Sequence, residues 1–161
     1  MVMPKQKPHR SKQDYQTPPE LLSSLRKHLK IDEFYCDLAA LDENTVASKW
    51  YTEADDALKQ DWPKNTDEEE RWCFCNPPYS NITPWVKKAW EESLRGASIA
   101  MLLPASVGSN WWADYVHDKC KVMFVRPRIT FVGATDPYPK DCVILLYGPI
   151  YKEYILWNWK D

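Results

Sequence analysis

The sequence predicts an α/β protein built on an open, mostly parallel sheet finished by a C-terminal antiparallel hairpin. Three observations predict it. Apolar runs of strand length alternate with stretches whose apolar residues recur at helical spacing. Two Thr-Pro pairs, Thr17-Pro18 and Thr83-Pro84, stand where helices of such a sheet start. The runs at 34–38, 72–75 and 97–103 end at an acid, at an amide and at a proline. Open α/β sheets bind their ligands at such carboxyl ends of strands.

Each element has its own signal. Thr17-Pro18-Pro19-Glu20 reads as a helix start, with Thr as N-cap, Pro at the first helical position and Glu three residues after the cap. Leu21, Leu22, Leu25 and Leu29 then form an apolar stripe. Residues 34–38 read as a short buried strand, 39–58 as a loop with short helical pieces, and 61–71 as a polar connection. Trp72 to Cys75 is the next strand. Thr83-Pro84 opens a helix through Trp85, Val86, Ala89 and Trp90 that Gly96 ends. Residues 97–103 form a continuous apolar strand closed by Pro104, 109–118 a helix, and 121–125 a strand. Residues 129–132 and 142–147 read as antiparallel strands around a loop with Gly133, Pro137 and Pro139.

The chain has 161 residues, 44% of them hydrophobic, with nine Trp and nine Tyr. That is enough for one domain with its own core, set at residues 14–161 after an arm at 1–13. No apolar run reaches transmembrane length and no apolar leader opens the chain, which predicts a cytoplasmic protein without a membrane partner. Cys36, Cys73, Cys75, Cys120 and Cys142 lie mostly inside apolar runs and read as buried reduced thiols. Cys73 and Cys75 share a strand face without a His cluster, so no metal site is expected. The net charge of −2 is unusual for a protein that grips nucleic acid. The arm, however, carries Lys5, Lys7, His9, Arg10 and Lys12 and no acid. It reads either as a phosphate-following segment or as a plain tail. Asp67-Glu68-Glu69-Glu70 reads as a solvated loop.

The most informative segment is Asn76-Pro77-Pro78-Tyr79, directly after the 72–75 strand. Two prolines remove two backbone donors, fix φ and prevent a helix from starting. A stiff turn results, presenting one carboxamide oxygen, proline carbonyls and one flat ring. Such a turn suits a planar group bearing an –NH2, although a bare proline turn after a strand has the same sequence.

The tetrapeptide resembles the Asn/Asp-Pro-Pro-Tyr motif of amino-methylating methyltransferases. Tyr15-x-Thr17-Pro18, Asp37-Leu-Ala-Ala40, Asp55-Asp56-Ala57-Leu58 with Asp61-Trp62, Asn76–Tyr79 and Leu102-Leu-Pro-Ala105 follow one another in an order similar to the phage-type DNA N6-adenine methyltransferases, over residues 14 to 148. The resemblance implies a Rossmann-like class I methyltransferase sheet reduced in size, S-adenosylmethionine as cofactor, and duplex DNA as partner of a monomer or weak dimer. It implies a flipped adenine whose N6 amine hydrogen-bonds Asn76 and the Pro77 carbonyl, beside Pro78, while Tyr79 stacks on the base. It assigns Tyr15, Thr17 and Asn76 to the cofactor, Thr17 at the methionine carboxylate. It assigns Asp37 to the ammonium, Ala39 to close approach, Asp56 and Leu58 to the cofactor adenine, and Asn44 to the same pocket. Asp55 is an adjacent alternative for Asp56. No glycine lies between Asp37 and Asp56, unlike the glycine-rich loop of larger methyltransferases.

Contacts to nucleic acid are assigned to Arg126, Arg128 and Lys140, with Phe131 or Tyr138 as a second ring against the base. Surface arginines and a core Phe are the alternative. The loop at 106–111 is expected to help read sequence, with Trp111 and Trp112 in the core. The same motif also fits an RNA base amine or a protein glutamine amide, and a cofactor-free nucleic-acid-binding relative would retain the fold.

Overall fold

The computed structural model describes residues 15–40 and 46–161. The basic arm and Asn44 lie outside the described residues. Six strands form one sheet: β1 Cys36–Asp37, β2 Trp72–Cys75, β3 Ser98–Pro104, β4 Lys121–Arg126, β5 Cys142–Tyr147 and β6 Tyr154–Asn158. Their spatial order is β1-β2-β3-β5-β4-β6. β1, β2 and β3 run parallel, β5 is antiparallel to both β3 and β4, and β6 is parallel to β4. Among the described residues the helices are α1 Pro19–Leu29, α2 Thr83–Leu94 and α3 Asn110–Tyr115, with 3-10 turns at Glu53–Asp55 and Ala57–Lys59.

The sheet is buried on both faces, and the period of two divides its side chains between two cores. Ile99, Met101 and Leu103 of β3 join Val143, Leu145 and Tyr147 of β5 against α2 and α3. Ala100 and Leu102 join Ile144 and Leu146 on the other face against Leu21, Leu22 and Leu25 of α1. The stripe expected on α1 therefore packs as read. All five cysteines are free and buried. Among the described residues no helix is long and apolar enough to cross a membrane, and no group of three or more His, Cys, Asp or Glu could hold a metal ion.

Three expectations are corrected. Residues 129–132 form no strand, and the expected terminal hairpin is replaced by β5 inserted between β3 and β4, followed by the additional strand β6. Ile129 and Phe131 are buried because their loop folds onto the α1 side of the sheet, which gives an apolar alternation without a ladder. Neither threonine caps a helix. Pro18 is the N-cap of α1, and Ile82 is that of α2, so each threonine is displaced from the role its sequence position suggested. Cys36 and Cys73 are register partners across β1 and β2.

Candidate active site

The loops after β1 and β2 leave the sheet side by side, so Leu38, Ala39 and Ala40 stand next to Asn76 and Pro78 at adjacent strand ends. Thr17 precedes α1 and is buried. Freed from capping, its Oγ1 accepts a hydrogen bond from Asn76 Nδ2 at 3.1 Å. The carbonyl of Tyr15 accepts a second bond from the same nitrogen. A backbone carbonyl only accepts, so these contacts fix which end of the carboxamide is nitrogen. The other end, Asn76 Oδ1, is buried and has no hydrogen-bond partner among the described residues. An unmet buried acceptor costs about 1–3 kcal/mol. Among the described residues, the fold thus holds one buried oxygen whose donor is not supplied.

A cleft of about 200 Å³ is lined by Leu38, Ala39, Ala40, Thr52, Glu53, Asp56, Ala57, Asn76, Pro78 and Trp85. Its walls are mostly small or apolar, with Asp56 and Glu53 as acids. The adjacent acids Asp55 and Asp56 divide their roles. Asp55 Oδ2 accepts from the Thr52 amide at 2.8 Å and from the Thr52 hydroxyl at 3.1 Å, closing the 3-10 turn. Asp56 sits at φ 52° in the left-handed region, which an Asp tolerates better than most residues, and lines the cleft. Leu58 is half-buried and is not on the lining.

Asp37 is buried rather than a solvated loop acid. Its Oδ1 accepts from the amide of Ala39 at 3.2 Å and its Oδ2 from that of Val46 at 3.0 Å. The carboxylate therefore shapes the turn that presents Ala39 and Ala40. Trp85, Thr52 and Glu53 reach the cleft without having been singled out by sequence. A helix-period Trp gives no sign of which face it takes, and the turn at 53–55 has no apolar pattern to place it.

Four rings cluster beside Asn76. Tyr15 stacks on Tyr79 with centroids 5.3 Å apart and planes at 30°. It also meets Phe131 at 5.2 Å and Tyr138 at 5.3 Å. The Tyr79 hydroxyl donates to the Leu102 carbonyl at 3.2 Å. Burial drives the Tyr79 phenol well above its ordinary pKa, and burial followed by Tyr15 and Cys142 pushes Tyr138 up to about 12, so both stay neutral. Phe131 is 3% exposed, which makes it a floor for Tyr15 and Tyr138 rather than an outer ring. Tyr138, half-buried, is the ring of the pair that retains surface. The loop that carries them is tied to the N-terminal segment through Val132 N donating to Gln16 O at 3.1 Å.

Arg126, Arg128 and Lys140 are exposed. Arg128 Nε pairs with Asp141 at 2.9 Å, so part of its charge is already answered. Trp159 braces this segment, its indole donating to the Pro127 carbonyl at 2.8 Å. Trp112 is buried and Trp111 half-buried against the α2–α3 core, in line with the sequence reading.

The family described as DNA N-6-adenine-methyltransferase (Dam) matches residues 5–154. A protein of Escherichia phage T1 named DNA N-6-adenine-methyltransferase is 30% identical over 116 residues, covering 72% of this chain and 46% of that protein. A protein of the same name from Haemophilus phage HP1 is 28% identical over 124 residues, covering 73% of this chain and 68% of that protein. The chain therefore spans about half the length of the first relative and two thirds of the second.

Proposed function

The chain belongs to the DNA N-6-adenine-methyltransferase (Dam) family, and from that premise we propose that it transfers a methyl group from S-adenosylmethionine to the N6 amine of an adenine flipped out of DNA. The observation that carries the reading is the Asn76 carboxamide: its nitrogen is held by Tyr15 and Thr17, and its oxygen is buried and unmatched among the described residues. An exocyclic amine brings the donor this oxygen lacks.

The donor set also fits the cofactor. Ala39, Ala40 and Ala57 keep the cleft walls low, Asp56 offers an acceptor for an amine, and Trp85 offers a ring face. When bound there, S-adenosylmethionine supplies an electrophilic methyl on a sulfonium. The chain's own work is to prepare the amine. An aromatic amine is a weak nucleophile because its lone pair is delocalised into the ring. Hydrogen bonds accepted by Asn76 Oδ1 and the Pro77 carbonyl raise electron density on that nitrogen and favour its leaving the ring plane. No charged base is needed for this. Positioning of the two reactants removes a bimolecular entropy cost. Adenine N6 is paired in a duplex, so the base is extruded before reaction. Tyr79 and Tyr138 provide the aromatic surface for it, with the Tyr15 ring lying against one face of Tyr79. The placement of the cleft at neighbouring parallel strand ends supports a Rossmann-like class I sheet.

The test is transfer of a labelled methyl to adenine-containing duplex DNA, with RNA and glutamine-containing protein as parallel substrates. Duplex DNA is expected to be labelled at N6, and Asn76→Ala is expected to lower turnover by about 10²-fold or more, the scale of a lost transition-state hydrogen-bonding group, with cofactor affinity changed only a few fold. Labelling of RNA or protein in place of DNA would redirect the substrate assignment, and unchanged turnover in Asn76→Ala would remove its catalytic role.

A further inference from the structure

Trp62 packs behind Trp85, the ring face of the cleft, and the reaction scheme above gives Trp62 no role. Trp62 is 1% exposed and its indole N–H donates to the Ala57 carbonyl at 2.9 Å. Its ring packs against Trp85 with centroids 6.5 Å apart and planes at 29°. Lys88 Nζ lies 5.3 Å from the centre of the Trp62 ring, and both Lys88 and Lys64 pair with Glu92, itself buried on α2. Trp62 therefore bridges two walls of the cleft: the turn bearing Asp56 and Ala57, through its N–H, and the α2 wall bearing Trp85, through its ring.

We propose that Trp85 is the stacking face for the adenine ring of the methyl donor, and that Trp62 is a positioning residue holding Trp85 and the Asp56 turn at the spacing of one flat nucleobase. The inference rests on the S-adenosylmethionine reading of the cleft. The chemistry of the lining supports it. Trp85 is the one aromatic ring among the described lining residues, and it is half-buried, so part of its surface remains available. Asp56 lines the same cleft with an acceptor-only carboxylate suited to a 6-amino group. Asp56 has a left-handed backbone, and the Trp62 bond to the carbonyl of Ala57, the next residue, restrains the turn that carries it.

The experiment is equilibrium binding of S-adenosylhomocysteine and of its inosyl analogue, which replaces the 6-amino group by a carbonyl, to the full chain and to Trp85→Leu, Trp85→Phe and Trp62→Phe. Trp85→Leu is expected to weaken both ligands together by about 5- to 150-fold, the range of one base-stacking contact. Trp85→Phe, which retains a ring, is expected to recover most of that loss while losing more than half of the ligand-dependent tryptophan quenching. Trp62→Phe keeps a ring behind Trp85 but loses the N–H to Ala57. It is expected to reduce the preference for the adenosyl over the inosyl ligand, which a general loss of stability would not do. Thermal melting of each variant reports folding, and the quenching difference in Trp85→Phe stands even if Trp85→Leu does not fold. Binding of S-adenosylhomocysteine to Trp85→Leu within twofold of the parent, or quenching unchanged in Trp85→Phe, would overturn the stacking role and leave the functional reading intact. An unchanged ligand preference in Trp62→Phe would overturn the positioning role. Absence of adenosyl-ligand binding by the parent chain would overturn both the inference and the reading on which it rests.

Discussion

At the scale of single residues, the site is governed by which atoms of Asn76 are already engaged. Thr17 illustrates how a small change of register alters a role: with Pro18 as the cap, the hydroxyl is free to hold the Asn76 nitrogen. Thr17→Val keeps the shape and removes that acceptor. Turnover is expected to fall about tenfold, for the loss of a hydrogen bond of about 1–1.5 kcal/mol, and Thr17→Ser is expected to restore it, as read by steady-state methyl transfer. Tyr79 separates face from hydroxyl. Its O–H reaches the Leu102 carbonyl, so Tyr79→Phe is expected to cost about 0.5–1.5 kcal/mol of stability in urea titration and retain substantial activity. Tyr79→Ala is expected to lose activity, because the ring face is gone. Equal activity losses in the two variants would assign the role to the hydroxyl.

At the scale of elements, α2 is fastened to the 62–65 segment by charge as well as by apolar packing. Glu92 is 1% exposed and is surrounded by Lys64, Lys88 at 2.9 Å and Arg95 at 3.6 Å. Burial opposes its ionisation, yet the hydrogen bonds and charges of Lys64 and Lys88 outweigh burial and hold its pKa below the ordinary value of 4.5. A carboxylate depressed in the folded state contributes stability above its unfolded pKa, and that contribution is lost as pH falls through the folded value. Glu92→Gln is expected to destabilise the protein by about 1–3 kcal/mol at pH 7, because the lysines lose their counter-charge while still partly buried. The difference from the parent is expected to shrink as pH drops below about 4.5. Urea midpoints at pH 7 and pH 3.5 measure it, and a pH-independent difference would show that packing, not charge, fastens the helix. The two Thr-Pro pairs and the Leu stripe of α1 were readable because helix-start chemistry and helical period are local properties. β6 was not readable: Tyr154 and Leu156 are exposed, Ile155 and Trp157 face the sheet's other side, and an edge strand half in water lacks a continuous apolar signal.

At the scale of the whole molecule, net charge and the proposed binding of a polyanion have to be reconciled. The chain is at −2, while Arg126, Arg128 and Lys140 are exposed around one loop and Lys5, Lys7, Arg10 and Lys12 stand together in the first thirteen residues. Deleting residues 1–13 is expected to weaken duplex binding and to flatten the dependence of log K on log salt by about 0.9 for each phosphate contact removed. Methylation at saturating DNA is expected to persist, because the site residues lie elsewhere. Fluorescence anisotropy across a salt series checks this, and an unchanged slope would assign the arm no phosphate contact.

By itself, the sequence determined the alternation of strands and helices, the continuous apolar run of β3, and the strand-end position of Asn76, because period, length and proline chemistry act over a few neighbouring residues. It also carried the motif order from Tyr15 to Ala105. Only the tertiary structure decided which oxygen of that motif is unmet, because Tyr15 and Thr17 reach Asn76 across about sixty residues of chain. The choice of Asp56 over Asp55 for the cleft followed from a hydrogen bond to Thr52. The places of Trp62 and Trp85 depended on how α2 packs. These are matters of contact between distant segments, and no local pattern of side chains encodes them.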